Sequence, residues 1–200
     1  MSSPLSLTQH AVWLSEQLDP GTSAYHIAEL YSLAGSLQPA ILEQAFSEII
    51  RRHEALRTVF KLEHDQPVQV IHSPSRFELP VIDLSRLSEA EREYATDKQI
   101  QEEVARAFDL TTGPLLRPTL IKLDDERHLL LIVTHHLVCD GWSLGVLIQE
   151  LKQLYTAFLR GESDPLPKLP MQYADFVKWQ RGEEMERHLD YWRRRLAGVP

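Results

Sequence analysis

Two spacings of apolar residues run through the chain and predict helices and strands in alternation. Apolar positions three or four residues apart indicate helices, and strict alternation indicates half-buried strands. The predicted strands cover residues 25–33, 55–62, 68–71, 115–123 and 128–135. The predicted helices begin at Ser6, Pro39, Ser88 and Gly141. Because helices and strands are interleaved and residues 115–135 form a hairpin, we expect a mixed-sheet α/β (α+β) sandwich.

The first predicted helix begins with a capping box. Ser6 and Gln9 have the S-x-x-Q spacing in which the two side chains satisfy free amides at a helix start. The apolar residues behind them have the spacing of one helix face: Leu7, Ala11, Leu14 and Leu18.

The strand over 128–135 is the most informative element. Residues 129–133 are all apolar, so both faces of this strand are expected inside a sheet. The strand ends in His135 and His136, and a turn with Asp140 and Gly141 leads into an amphipathic helix. Ligands bind where strand ends meet helix starts, which makes this turn the candidate site.

Composition restricts the classes of function. The 200 residues suggest about one domain, and 21 basic against 29 acidic residues give a net charge of −8. This balance disfavours binding to nucleic acid or to anionic membranes, and no apolar run approaches the ~20 residues that cross a bilayer. The one cysteine, Cys139, cannot form an internal disulfide, so a cytoplasmic location is expected. Three prolines over 161–170 predict a linker to a last helical region, 171–197.

The residues of the candidate site leave several alternatives open. Adjacent strand residues point to opposite faces, so His135 and His136 should differ in role, and either could be a structural histidine. A metal site of His135, His136, Cys139 and Asp140 is disfavoured because opposite faces keep the histidines apart. Cys139 is disfavoured as a nucleophile because apolar neighbours raise the pKa of a thiol.

Four segments together resemble a known family. Residues 135–141 fit the HHxxxDG signature of condensation domains in nonribosomal peptide synthetases, a signature shared with chloramphenicol acetyltransferase and its relatives. Residues 52–60 match the motif RHExLRTxF throughout, and residues 172–180 are similar to YxDYAxW. Residues 6–13 resemble S-x-A-Q-x-R-x-W, with Thr8 and Ala11 where the family has Ala and Arg.

The resemblance implies that residues 1–200 are the N-terminal lobe of a two-lobed domain with a chloramphenicol-acetyltransferase-like fold. It implies amide bond formation in a tunnel between the lobes, with His136 as the catalytic group. His135 would fix the strand from the core, Asp140 would pair with Arg57, and Gly141 would admit the substrate. The chain lacks the later motifs of the family, so without the C-terminal lobe we expect it to be inactive.

The resemblance also implies partners and rivals. The substrates would be bound as thioesters to the 4'-phosphopantetheine arms of donor and acceptor peptidyl carrier protein domains. An adenylation domain would lie next to this domain. The chain itself would hold no cofactor or metal. One rival function is that of a CoA-dependent acyltransferase or an epimerisation domain. Another is a non-catalytic module that binds carriers.

Overall fold

The computed structural model describes residues 2–199, apart from the side chains of residues 183–187. The strands are β1 Ser2–Pro4, β2 His26–Ala34, β3 Thr58–Glu63, β4 Gln66–Ile71, β5 Val81–Asp83, β6 Leu116–Lys122 and β7 Arg127–His135. The helices are α1 Leu7–Leu18, α2 Pro39–Arg52, α3 Glu89–Ala105, α4 Gly141–Leu159, α5 Tyr173–Gln180 and α6 Glu183–Arg195, with a 3₁₀ turn over Glu54–Arg57. None of the described helices is long and apolar enough to cross a membrane.

The strands form two sheets, which confirms the predicted mixed α/β class. The larger sheet has the order β2-β7-β6-β5, and the smaller has the order β1-β4-β3. β7 pairs antiparallel with β2 and with β6, while β5 joins β6 in parallel. The all-apolar strand therefore lies inside the sheet, as predicted, and its register is fixed from both sides.

Helices α2 and α4 cover one face of the larger sheet and form the main core with it. The large side chains of this core with 0% of their surface exposed are Phe46, Ile49, Leu120, Ile132 and Leu154. All five belong to helices or strands that the sequence predicted. Burial of one such side chain contributes about 1.5–3 kcal/mol, so this layer is the main source of stability.

The structure differs from the sequence prediction at the start of β3, at the end of α3 and in two short strands. The strand predicted over 55–62 begins only at Thr58, because residues 54–57 turn as a 3₁₀ helix that the Thr58 hydroxyl closes onto the Glu54 carbonyl at 2.8 Å. Helix α3 ends at Ala105 rather than near Ala107, where the Arg117 guanidinium binds the carbonyls of Glu103, Arg106 and Ala107. Strands β1 and β5 were not predicted, because three residues carry no readable alternation.

The end of the chain packs back onto its beginning. Residues 161–172 contain no helix or strand and lead to α5 and α6. Gly182, the N-cap of α6, lies between these two helices in the sequence. The Ser6 hydroxyl lies 2.9 Å from the Tyr173 hydroxyl, and the Arg181 guanidinium donates to the Leu5 carbonyl at 2.7 Å. The linker at 161–170 and the unit boundaries remain predictions, and residues 1 and 200 lie outside the described part.

The serine capping boxes of α1 and α3 offer a matched test of this contact. The exposed Ser88 side chain bonds Glu91, whereas the Ser6 side chain is fully buried, accepts from the Gln9 amide at 3.0 Å and also contacts Tyr173. We expect Ser88→Ala to cost about 1 kcal/mol of unfolding free energy. Ser6→Ala should cost about 2–3 kcal/mol, because it leaves buried polar groups without partners. Equal losses in urea unfolding would contradict the proposed anchoring of α5.

Candidate active site

The candidate site lies where β7 ends and the chain turns into α4. The His136 amide donates to the Tyr25 carbonyl at 2.9 Å, and the Val138 amide donates to the His135 carbonyl at 3.0 Å. The His136 side chain is exposed, whereas His135 has 1% of its surface exposed. The pleat therefore gives the two histidines opposite environments, as the sequence indicated.

His135 is a buried, neutral support for this turn. Its Nδ1 accepts from the Leu137 amide at 3.2 Å, so the ring proton lies on Nε2, which is 3.1 Å from Glu16 Oε1. Burial, with smaller contributions from the neighbouring His26, His136 and Arg117, lowers the pKa of His135 to about 4. An uncharged imidazole in this position can fix the backbone but cannot serve as an acid near neutral pH.

Helix α1 contributes two site residues that the sequence analysis missed or used only for capping. Gln9 donates from Nε2 to the Leu137 carbonyl at 3.1 Å, and Glu16 meets His135. Both side chains are buried, while Leu7, Leu14 and Leu18 have 58%, 49% and 80% of their surface exposed. The helix thus turns two of its polar residues inward. The seven-residue separation of Gln9 and Glu16, two helical turns, is the signal that could have placed them on one face.

Asp140 caps α4 and does not pair with Arg57, which corrects that expectation. Its carboxylate accepts from the Ser143 amide at 2.8 Å and the Ser143 hydroxyl at 2.6 Å, and these bonds lower the pKa of Asp140. Arg57 instead donates to the His72 carbonyl and forms an ion pair with Glu54 at 3.3 Å. The short Asp140 side chain is exposed and is held by the first turn of α4, so it cannot reach Arg57.

Arg52, His53 and Glu54, which begin the RHExLRTxF motif, have a structural role. Arg52 and His53 both contact the buried Glu150 of α4, with N–O distances of 3.2 and 2.6 Å. The Gln172 side chain accepts from the Glu54 amide and donates to the Arg52 carbonyl. This network fixes the 3₁₀ turn against α4 and α5, which brings residues of two motifs to one place.

A cavity of about 210 Å³ opens at His136. Its lining includes Thr8, Ala55, Asp140 and Tyr173, so it draws on all four motif segments. An adjoining cavity of about 240 Å³ shares five residues with it and extends toward more apolar side chains: Trp142, Val146, Leu169 and Met171.

A larger cavity, of about 680 Å³, lies elsewhere. Arg57 lines it, but none of the residues of the 135–141 segment does. It shares Leu56 with the 240 Å³ cavity and no residue with the cavity at His136. The size of a cavity is therefore a poor guide to the chemistry in this chain. The structure does not bring Arg57 to the His136 site.

Cys139 and Gly141 are the two remaining residues of the turn with a predicted or alternative role. Burial, with a smaller contribution from the charge of Asp140, raises the pKa of Cys139 to about 12, which disfavours a nucleophilic thiolate. A side chain at Gly141 would meet nothing within 4 Å, so the space beside the start of α4 is open. Among the residues described, no group of three or more His, Cys, Asp or Glu side chains could hold a metal ion.

The geometry allows acid–base chemistry on a bound substrate. An exposed imidazole faces a small cavity beside the amino end of a 19-residue helix. That helix end favours negative charge, and an imidazole is a common general base. The arrangement suits a reaction in which one group loses a proton while negative charge develops on an oxygen nearby.

Comparisons with known proteins agree with this geometry. The family model described as "Condensation domain" matches residues 2–200. The chain is 42% identical over 200 residues to chondramide synthase cmdD of Chondromyces crocatus, and the match covers 98% of this chain and 5% of that protein. It is 43% identical over 199 residues to one of the linear gramicidin synthase subunits of Brevibacillus parabrevis, a match that covers 98% of this chain and 4% of that protein.

A solved structure shares the fold. The starter condensation domain of the rhizomide synthetase RzmA superposes with a TM-score of 0.89 at 24% identity, over 100% of this chain and 49% of that chain. A variant of that domain was solved in complex with C8-CoA and Leu-SNAC. The chain thus spans about half of the solved domain and a small share of each curated relative.

The corrected role of Asp140 can be tested with a double-mutant cycle. Loss of the cap in Asp140→Ala should cost about 1 kcal/mol of unfolding free energy, and Asp140→Ser should restore most of it. Because Asp140 and Arg57 do not touch, the losses of Asp140→Ala and Arg57→Ala should add within about 0.5 kcal/mol. A buried ion pair would instead give a single-site loss of about 3–5 kcal/mol and strong coupling in urea unfolding.

Proposed function

The chain belongs to the condensation domain family, and on that premise we propose that it forms amide bonds in nonribosomal peptide synthesis. The donor is an acyl, aminoacyl or peptidyl thioester on one carrier, and the acceptor is an aminoacyl group on another. One observation carries the proposal: an exposed His136, held at the end of a buried strand, faces a cavity built from all four motif segments.

The proposed reaction is an aminolysis. The acceptor amine attacks the thioester carbonyl, a C–N bond forms, and the C–S bond breaks to release the donor thiol. The attacking nitrogen must lose a proton during this sequence, and it becomes acidic only after the new bond begins to form. His136 takes that proton or orients the amine for attack, a role typically worth about 10²–10⁴-fold in rate.

The neighbouring residues have supporting roles in this proposal. His135 holds the strand end from the core, and Asp140 fixes the first turn of α4 through Ser143. The open space at Gly141 gives the thioester a close approach to the helix start, where the amide groups favour charge on its oxygen. Arg57 supports the site only at a distance, through the 3₁₀ turn that it shares with Glu54.

The proposed partners follow from the substrates. Donor and acceptor peptidyl carrier protein domains present the 4'-phosphopantetheine arms, and an adenylation domain loads the acceptor. The chain supplies no cofactor or metal of its own, and it acts in the cytoplasm. We propose that a C-terminal lobe supplies the other wall of the tunnel, which fits with this chain covering about half of the RzmA domain.

Two rival functions remain as outcomes of the tests. A CoA-dependent acyltransferase would turn over with an acyl-CoA donor and no donor carrier, and the RzmA complex with C8-CoA makes that assay worth including. A non-catalytic carrier-binding module would bind loaded carriers without product. Product formation from two loaded carriers separates both rivals from condensation.

We expect His136→Ala to lower single-turnover amide formation by about 100-fold or more in the synthetase that carries this chain, with its melting temperature unchanged. His64→Asn is the matched control, because His64 lies in an exposed turn at φ 51° that asparagine tolerates. Both loaded carriers are supplied and the product is followed by mass spectrometry. An unchanged rate in a folded His136→Ala protein would contradict the catalytic role.

We also expect residues 1–200 alone to fold without catalysing condensation. The cavity at His136 is open to solvent on one side, and positioning of two substrates accounts for about 7–11 kcal/mol of such a barrier. Circular dichroism with cooperative unfolding establishes the fold, and loaded carriers then test for product. Turnover that depends on His136 in the 200-residue chain would show that it completes its own site.

A further inference from the structure

We infer that Glu16 is a positioning residue for His136: its carboxylate oxygen holds His135 in the tautomer that fixes the turn carrying His136. The inference rests on the proposed function, because it assumes that the position of the His136 imidazole matters. Glu16 lies on α1, remote in sequence from the HHxxxDG segment. The residue touches neither of the two cavities near the site.

The contacts form a chain from Glu16 to the peptide groups that flank His136. Glu16 Oε1 lies 3.1 Å from His135 Nε2, and His135 Nδ1 accepts from the Leu137 amide at 3.2 Å. The Leu137 carbonyl accepts from Gln9 Nε2 at 3.1 Å. Glu16, through His135, and Gln9 therefore hold, from two turns of one helix, the N–H and the C=O of Leu137, the residue that follows His136.

The direction of the hydrogen bonds makes an oxygen acceptor necessary at position 16. A neutral imidazole carries one proton, so a ring whose Nδ1 accepts must donate from Nε2. If Nε2 had no acceptor, the proton could move to Nδ1, where it would face the Leu137 N–H instead of accepting from it. The turn would then lose the bond from the Leu137 amide, one of the contacts that fix the position of His136.

The need of the His135 ring for an acceptor accounts for a buried glutamate at this position. Glu16 has 6% of its surface exposed; burial raises its pKa, and the nearby His26 lowers it by a smaller amount. Among the described residues, the only hydrogen bond of the Glu16 side chain is to His135. An apolar side chain at position 16 would leave the His135 Nε2–H buried without an acceptor. The oxygen at position 16 therefore serves the His135 ring and the turn that this ring holds.

The test compares Glu16→Leu with Glu16→Gln in the complete synthetase. Glutamine offers the same acceptor oxygen without the charge. We expect Glu16→Leu to lower the single-turnover rate about 10- to 100-fold, since a misplacement near 1 Å has effects of this size. The concentrations of the two carriers that give half-saturation should change less than about 2-fold, because Glu16 touches no proposed substrate surface. Glu16→Gln should restore the rate to within about 3-fold.

Glu43→Leu is the matched control. It removes another carboxylate that accepts a hydrogen bond, from the Leu79 amide at 3.0 Å, and that lines neither the cavity at His136 nor the adjoining one. It should lower the melting temperature and leave the rate per folded molecule unchanged. An equal fall in rate for Glu43→Leu, or a Glu16→Gln protein as slow as Glu16→Leu, would overturn the inference.

Two further measurements keep the outcome decisive. ¹⁵N chemical shifts of the His135 ring in the wild-type protein should place its proton on Nε2, and a proton on Nδ1 would overturn the inference even if no variant folds. His136→Ala is assayed in parallel. If His136→Ala is fast, the proposed function fails, whereas a slow His136→Ala beside a fast Glu16→Leu removes only the positioning role.

Discussion

The pleat of β7 is the constraint on which the site depends. β7 is paired on both sides, and its last residue, His135, lies opposite His26 of β2. A shift of one residue would exchange the two faces of the strand, so that His135 would no longer face Glu16 and Phe108. Leu130 and Ile132 pack in the core with α2 and α4, and the alternation of the strand turns His135 to the opposite face. The register of β7 therefore fixes which of the two histidines is buried.

Helix α1 buries two polar side chains and exposes three leucines. An amphipathic helix normally buries its apolar stripe, yet here Gln9 and Glu16 are inside and Leu7, Leu14 and Leu18 face outward. Each buried polar group is tolerated because it has a specific partner, the Leu137 carbonyl for Gln9 and the His135 ring for Glu16. The helix therefore fixes the turn through Gln9 and Glu16. Apolar side chains at these two positions would instead have added hydrophobic burial.

Much of the fold could be predicted from the sequence because periodicity reports which face of an element is buried. β7, the hairpin with β6 and the long helix α4 follow from such patterns, as do the opposite faces of His135 and His136. The partner of Asp140 could not be predicted, because side-chain pairing depends on where the 3₁₀ turn directs Arg57, toward another cavity. Glu16 was missed for the same reason, since its partner is 119 residues away.

The cavity at His136 suggests how the tasks of the proposed reaction are shared between two parts of the site. The end of β7 carries His136, and the capped start of α4 favours negative charge on the substrate. These two features need only local contacts, which one sheet and one helix can provide. Holding two long thioester arms needs walls on both sides, and one open surface cannot provide them. A site divided between two units keeps the imidazole fixed in one while the opposing unit closes over the substrates. In that arrangement, the accuracy of the turn at His136, held by α1 from behind, limits how well the substrates can be aligned.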